Sequence, residues 1–285
     1  MIPVRDKTLG MFADSEMSRV SNGMNIDGRA LAREVLARAK ARAEKSARPP
    51  LVVALVASDT PATRSYLAMK AKRAVDAGCV FETRALGAKF DDAVAVIVQL
   101  PVPVGINQKE VCDAIPVEKD ADILSSAARA RFEKGDADAL LPPVVGAVRE
   151  IFLRNSLDVK GKKAVVIGDG WLVGDPCAKW LKQQGADVEV VTLESGNLTA
   201  ALRAADIIIS GAGSPHLIKP EMLKQGVVLI DAGTSESGGT LAGDADPACA
   251  EKCSIFTPVP GGVGPLAVAC LFENVVTLAE RAMNN

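Results

Sequence analysis

Histidine occurs once in this chain, as His216 in a Gly-Ser-Pro turn, so a histidine-based catalytic triad would have to be built on that single loop residue. Aromatic side chains make up only 4% of the chain, with a single tyrosine, and offer few platforms for stacking bases. A net charge of -2 gives no electrostatic reason to bind nucleic acid or an anionic membrane, and neither is expected as a partner. No apolar run approaches the ~20 residues of a membrane span, and residues 1–25 lack the apolar core of a signal peptide, so a cytoplasmic protein is expected. The six cysteines, Cys79, Cys112, Cys177, Cys249, Cys253 and Cys270, are dispersed without CxxC spacing. They read as reduced core thiols, and no metal site is expected.

What is present is enough apolar material for two cores: 48% of 285 residues are hydrophobic. Leu51 to Ala57 reads as a buried strand and Ser58 to Pro61 as a turn. Ala62 to Gly78 reads as a helix, with Pro61 in its first turn and Gly78 at its C-terminal cap. Leu67, Ala71, Ala74 and Val75 form its apolar stripe. Tyr66 and Lys70 are four residues apart, so they project from one face, where the phenol can hold the amine or share a ligand with it. The pair is a candidate catalytic unit, although a solvated lysine beside a half-buried tyrosine has the same spacing.

Upstream, residues 1–24 show no clear period and read as a loose extension. From Ile26, Leu31, Val35, Leu36 and Ala39 fall at helical spacing behind Asp27 as cap. Downstream, Val80 to Ala85 is a strand, and Val94 to Leu100 is a β-branched run suited to a parallel sheet buried on both faces. Gln99 is its polar exception, at the strand end where open α/β sheets place ligands; a bond to loop backbone is the other reading. A helix over Gln108 to Ile115 precedes a charged loop, Glu118 to Asp122, whose two aspartates can hold a ligand amine or simply be solvated.

A second domain begins near Leu141. Ala147 to Leu153 is helical, and Lys163 to Gly168 is a buried strand followed by Gly168-Asp169-Gly170-Trp171-Leu172-Val173-Gly174. That GxGxxxG turn, the helix Pro176 to Gln184 and the strand Val188 to Leu193 make one βαβ unit, as a dinucleotide-binding turn requires. A tight structural turn is the alternative. Ile207 to Ser210 and Val227 to Asp231 are two more buried strands, each ending in glycine, at Gly211-Ala212-Gly213 and at Gly233. Thr257 to Pro265, with three prolines and three glycines, is rigid in places and bare of side chains in others, which suits a flat ligand. The helix Leu266 to Ala282 follows it.

TPVPGGVGPLAVACLFENVV, from Thr257, strongly resembles the signature of the methylenetetrahydrofolate dehydrogenase/methenyltetrahydrofolate cyclohydrolase family. The resemblance extends from Ile26 to the C-terminus. Ile26-Asp27-Gly28 is similar to the family's IDG, Tyr66 to Lys70 to its YVxxK, Val98 to Pro103 to its VQLPLP, Lys119 to Asp122 to its KDVD, and Val173 to Pro176 to its VGxP. It implies an α/β fold of two domains: an N-terminal α/β folate domain over residues 25–140, joined by the C-terminal helix 266–285, and a Rossmann-like parallel-sheet domain over 141–265. The active site would lie in the cleft between them.

By the same resemblance, Tyr66 and Lys70 act on the bridging one-carbon unit, Gln99 adjusts the lysine and Asp122 holds the pterin, with Pro260, Gly261, Gly262 and Val263 also against the substrate. The dinucleotide would meet Gly168, Asp169, Gly170, Val173, Gly174, Pro176, Glu194, Gly211, Gly213, Gly233 and Thr234. The implied protein is a homodimer that oxidises 5,10-methylene-tetrahydrofolate with a nicotinamide cofactor and hydrolyses the methenyl product to 10-formyl-tetrahydrofolate. A cyclohydrolase without dehydrogenase, or a non-catalytic folate- or nucleotide-binding protein, are the other readings.

The chain differs from the family at several places. The glycine after KDVD is Ile123 and a nearby asparagine is Ala128. Pro-Cys-Thr-Pro has become Leu141 to Val144, Gly-Arg-Ser reads Gly168-Asp169-Gly170, and Gly-Ile-Asn-Arg reads Gly233 to Glu236. Asp169 and Glu194 stand where the family carries groups for the 2′-phosphate of NADP, so NAD is expected over NADP.

Overall fold

The computed structural model describes residues 23–192, 197–237 and 240–284; Glu194 and most of the N-terminal extension lie outside the described residues. Strand β1 (Met24–Asn25) leads into α1 (Gly28–Ala43), capped by Asp27, whose carboxylate accepts from the Ala30 amide at 2.9 Å. The two residues of β1 pair in parallel with Ile255 and Phe256 near the far end of the chain. The extension therefore stops short of residue 24, and the start of the N-terminal domain is anchored on the sheet of the other half.

β2 (Leu51–Val56), α2 (Pro61–Asp76), β3 (Val80–Ala85) and β4 (Ala95–Val98) build a three-stranded parallel sheet in the order β3-β2-β4. β2 and β4 are apolar and buried because helices cover both faces of a parallel sheet. Next come α3 (Gln108–Asp113), α4 (Ser126–Lys134) and α5 (Pro143–Arg154). Then β5 (Lys163–Ile167), α6 (Gly174–Gln183), β6 (Asp187–Val191), α7 (Leu198–Ala204), β7 (Ile207–Ser210) and β8 (Val227–Asp231) alternate as βαβ units. A small antiparallel hairpin of β9 (Ser235–Ser237) and β10 (Thr240–Ala242) precedes β11 (Cys253–Phe256). The large sheet is parallel in the order β1-β11-β8-β7-β5-β6. Its strand order reverses between β5 and β7, which opens a crevice at their carboxyl ends.

The last helix, α8 (Val263–Asn284), is long and apolar enough to cross a membrane by length and composition, which the run-length reading of the sequence did not register. Here Leu266, Ala269, Phe272, Val275 and Val276 are buried against α1 and α5, so it is a core helix. Asn274 donates at 2.9 Å to the carbonyls of both Ala121 and Leu141, tying α8 to the segment that passes between the two sheets. All six cysteines are free and buried.

Candidate active site

Helix α2 carries the two residues of the sequence's candidate pair, but its inward face differs from expectation. Val75, assigned to the apolar stripe, is 69% exposed, while Thr63 and Ala74 are buried. Positions 63, 67, 70 and 74 form the inward line at helical spacing, so Lys70 lies on the stripe itself. Tyr66 stands on the flank and is half exposed. The phenol makes no hydrogen bond to the amine among the described residues; Lys70 Nζ instead donates to Gln99 Oε1 at 3.0 Å. Gln99 Nε2 in turn donates to the Leu100 carbonyl at 2.8 Å, which fixes the amide so that its oxygen faces the lysine. The bond to loop backbone read from the sequence is therefore present, and it leaves the amide oxygen for Lys70.

The charged loop of residues 119–122 divides its work. Lys119 Nζ donates to the carbonyls of Phe90, Asp91 and Ala93 at 3.2, 2.9 and 2.7 Å and staples the loop that leads into β4. Asp120 is fully buried and accepts from the amides of Leu124 and Ser125 at 3.2 and 2.7 Å. It is a turn-former, neither solvated nor available to a ligand. Only Asp122 lines the cleft. Ile123, where the resembled family has glycine, adopts φ +56°, a region in which a β-branched residue is strained.

Tyr66, Lys70, Gln99 and Asp122 line one cleft of about 950 Å³, together with Gly233, Thr234, the Pro258 to Gly262 loop with Pro260, Gly261 and Gly262, and Val263 in the first turn of α8. The electrostatics follow from that setting. Burial lowers the Lys70 amine and the nearby Asp122 charge partly restores it. Burial pushes the Asp122 carboxyl up to about 6, with Lys70 opposing and Asp120 adding to the rise. Asp231, at the end of β8 and also in the cleft, is pushed up to about 6 by burial, against the amides of Ala245 and Gly233 that it accepts from at 2.8 and 3.0 Å.

The glycine turns sit at the reversal of strand order. A Cβ on Gly174 would lie 1.9 Å from the Gly168 carbonyl, so the start of α6 closes on the turn only because residue 174 is bare. Gly211 packs under Val173, and Gly233 lies against the buried Asp244 carboxylate, which also accepts from Ser210 Oγ and the amides of Ala212 and Ser214. Gly213 offers its carbonyl to Ser235 Oγ at 2.7 Å. Asp169 and Gly170 are exposed, and Pro176 is buried in the first turn of α6. The amides of Val173 and Asp175 both donate to the Gly170 carbonyl and Pro176 has no N–H, so much of the first turn is committed within the chain. Of the residues expected to meet the dinucleotide, Gly233 and Thr234 line the cleft, whereas Gly168, Asp169, Gly170, Val173, Gly174, Pro176, Gly211 and Gly213 do not. Among the cleft residues that escaped the sequence reading are Trp171, inside the glycine turn, and Arg129, on α4, a helix not identified from sequence. Ser125 capping the Ala128 amide ahead of SAARARFEK and Gly135 was the available signal for that helix.

Comparison with known proteins places this architecture. Residues 142–283 match the model of the tetrahydrofolate dehydrogenase/cyclohydrolase NAD(P)-binding domain. The bifunctional protein FolD of Nitrosospira multiformis is 36% identical over 279 residues, covering 90% of this chain and 96% of that protein. FolD of Thermotoga maritima is 34% identical over 273 residues, covering 90% and 99%. Among solved structures, the bifunctional dehydrogenase/cyclohydrolase of Campylobacter jejuni superposes with a TM-score of 0.85 at 29% identity, covering 90% and 98% of the two chains. The Trypanosoma brucei enzyme, complexed with NADP and an inhibitor, gives 0.86 at 27%, covering 92% and 99%.

Proposed function

Because the chain belongs to the tetrahydrofolate dehydrogenase/cyclohydrolase family, we propose that its cleft performs both reactions of that name with Lys70, Gln99, Tyr66 and Asp122 as the working groups. The protein is an enzyme that oxidises 5,10-methylene-tetrahydrofolate and hydrolyses the methenyl product to 10-formyl-tetrahydrofolate. The observation that carries the residue assignment is Lys70 itself, an amine on the apolar line of α2, lowered by burial and held by the Gln99 amide oxygen.

Asp122 accepts from the pterin's amino and ring N–H groups and orients the one-carbon bridge toward Lys70. In the hydrolytic step the neutral fraction of Lys70 takes a proton from the water that adds to the methenyl carbon. Gln99 keeps the amine aimed, and Tyr66, at the open flank, closes the site over the substrate. The stretch from Pro260 to Val263, where the loop enters α8, bears on the flat face of the folate, an arrangement that excludes water from that side. The glycine turns at Gly168 to Gly174, Gly211, Gly213 and Gly233 lie at the strand ends beside the reversal of strand order, and that position supports them as the dinucleotide's side of the site. The nicotinamide cofactor, when bound, supplies the hydride acceptor.

Asp169, exposed beside the first glycine, supports NAD over NADP, because a carboxylate there repels a 2′-phosphate. Strand β6, an edge of the large sheet among the described residues with Val190 38% exposed, supports a homodimer. The setting is cytoplasmic. An absorbance assay for formation and decay of methenyl-tetrahydrofolate, with each nicotinamide cofactor in turn, tests the whole reading. Decay without formation would favour a cyclohydrolase that has lost its dehydrogenase.

A further inference from the structure

Arg129 crosses from the folate half of the molecule to the glycine turn of the other half. It is 9% exposed, donates from Nη1 to the Trp171 carbonyl at 3.0 Å and from Nη2 to Asp175 Oδ2 at 2.6 Å, and its guanidinium carbon lies 5.1 Å from the Trp171 ring centroid. The contact continues as a ladder between α4 and α6. Lys179 Nζ reaches Asp175 at 2.8 Å and Glu133 at 2.6 Å, and Gln183 Nε2 donates to the carbonyls of Phe132 and Glu133 at 2.9 and 3.2 Å. Trp171, lying between the first two and the last glycine of the turn, packs its indole against the core around Val98 and Leu124 in the folate half. Turn, helix α6 and folate domain are thereby fastened together beside the cleft.

The same short stretch, residues 120–129, therefore carries Asp122 at one end and this fastening at the other. A buried guanidinium bonded at once to a carbonyl and a carboxylate has a fixed geometry, and removing it leaves Asp175 partly buried with only Lys179. We infer that Arg129 is a positioning residue for the dinucleotide: through the Trp171 carbonyl and Asp175 it sets the first glycine turn at the spacing from the folate pocket that the cofactor needs. Arg129 touches neither reacting atom. This rests on the reading that the glycine turns hold a nicotinamide dinucleotide.

The test uses the full chain with Arg129→Met, Arg129→Lys, Asp175→Asn and the Arg129→Met/Asp175→Asn double variant. Dissociation constants for NAD and NADP are measured by calorimetry, and KM and kcat for hydrolysis of methenyl-tetrahydrofolate, which needs no cofactor, are measured beside them. Arg129→Met and Asp175→Asn are each expected to weaken the better-bound dinucleotide roughly tenfold or more, and in Asp175→Asn, whose side chain does not line the cleft, the hydrolytic KM stays within about threefold of the parent. Arg129→Lys should recover part of the loss, and the double variant should bind no worse than the weaker single one, because both changes break one linkage. In a background with Trp180→Phe, the emission of Trp171 should shift in Arg129→Met and respond to the dinucleotide in the parent. Should Arg129→Met not fold, Asp175→Asn carries the same comparison with the carbonyl bond intact. An unchanged dinucleotide affinity, or parallel losses in dinucleotide and folate binding, overturns the inference alone. A parent chain that binds neither dinucleotide overturns it together with the cofactor reading.

Discussion

An amine and a carboxylate facing one cleft in each other's field are each pushed by burial toward the neutral form and held charged by the other. For Lys70 the lowering by burial is what the proposed role as base rests on. Lys70→Ala should lower cyclohydrolase turnover by ~10²–10⁴-fold, with a melting temperature no lower than the parent's, because the group removed is costly to bury. Turnover within a few-fold of the parent would show that another group takes the proton. For Asp122 the sign runs the other way. Its folded carboxyl titrates at about 6, above the ordinary 3.8, so its contribution to stability is largest at acid pH and declines as pH rises between those values. With the ionised carboxylate as the proposed pterin acceptor, folate binding should weaken as pH falls below 6. Asp122→Ala should cost about 1.5–3 kcal/mol of folate binding at neutral pH and flatten that dependence. Calorimetric titrations across the pH range check both, and an unchanged dissociation constant would move the pterin elsewhere. Spacing alone suggested Tyr66 as the partner of Lys70, whereas the bond goes to Gln99, 29 residues away, the residue that the family resemblance, and not the local pattern, linked to the lysine.

At the scale of elements, periodicity located helices and strands more reliably than it located their faces. In α2 the choice between neighbouring stripes turns on one residue, and alanines at positions 68, 71, 74 and 77 score alike on either. Packing decided for the line through Lys70. Strand β1 and the hairpin β9–β10 were not legible because two or three residues form strands only when a partner edge is offered. Helix α8 was placed correctly within three residues at each end, and its role depends on Asn274. Asn274→Leu should destabilise the chain by about 2–4 kcal/mol, because it leaves the Ala121 and Leu141 carbonyls without their buried donor. Urea unfolding reads the loss directly. A change under half a kcal/mol would mean that water replaces the amide at no cost.

The whole molecule is two parallel sheets whose shared cleft is held by α8 on one side and by the Arg129 ladder on the other. The two-domain architecture is legible in the sequence through the family resemblance, whose motifs span the chain from Ile26 onward. The cross-domain pairs were not visible, because charge partners 46 residues apart leave no local pattern. The cofactor side is where the chain's own residues depart most from the resembled family, and Asp169 in place of arginine should give a specificity constant for NAD tens-fold above that for NADP if it and Glu194 each repel the 2′-phosphate by about 1 kcal/mol. Steady-state kinetics with both cofactors measure it, and equality or a preference for NADP would remove that assignment. The central claim, one cleft performing two successive reactions, is tested most directly by following the methenyl-tetrahydrofolate absorbance after methylene-tetrahydrofolate and NAD are added. A rise followed by enzyme-dependent decay, with the decay lost in Lys70→Ala, is the predicted result; no enzyme-dependent change with either nicotinamide cofactor, or a decay that Lys70→Ala leaves untouched, would contradict it.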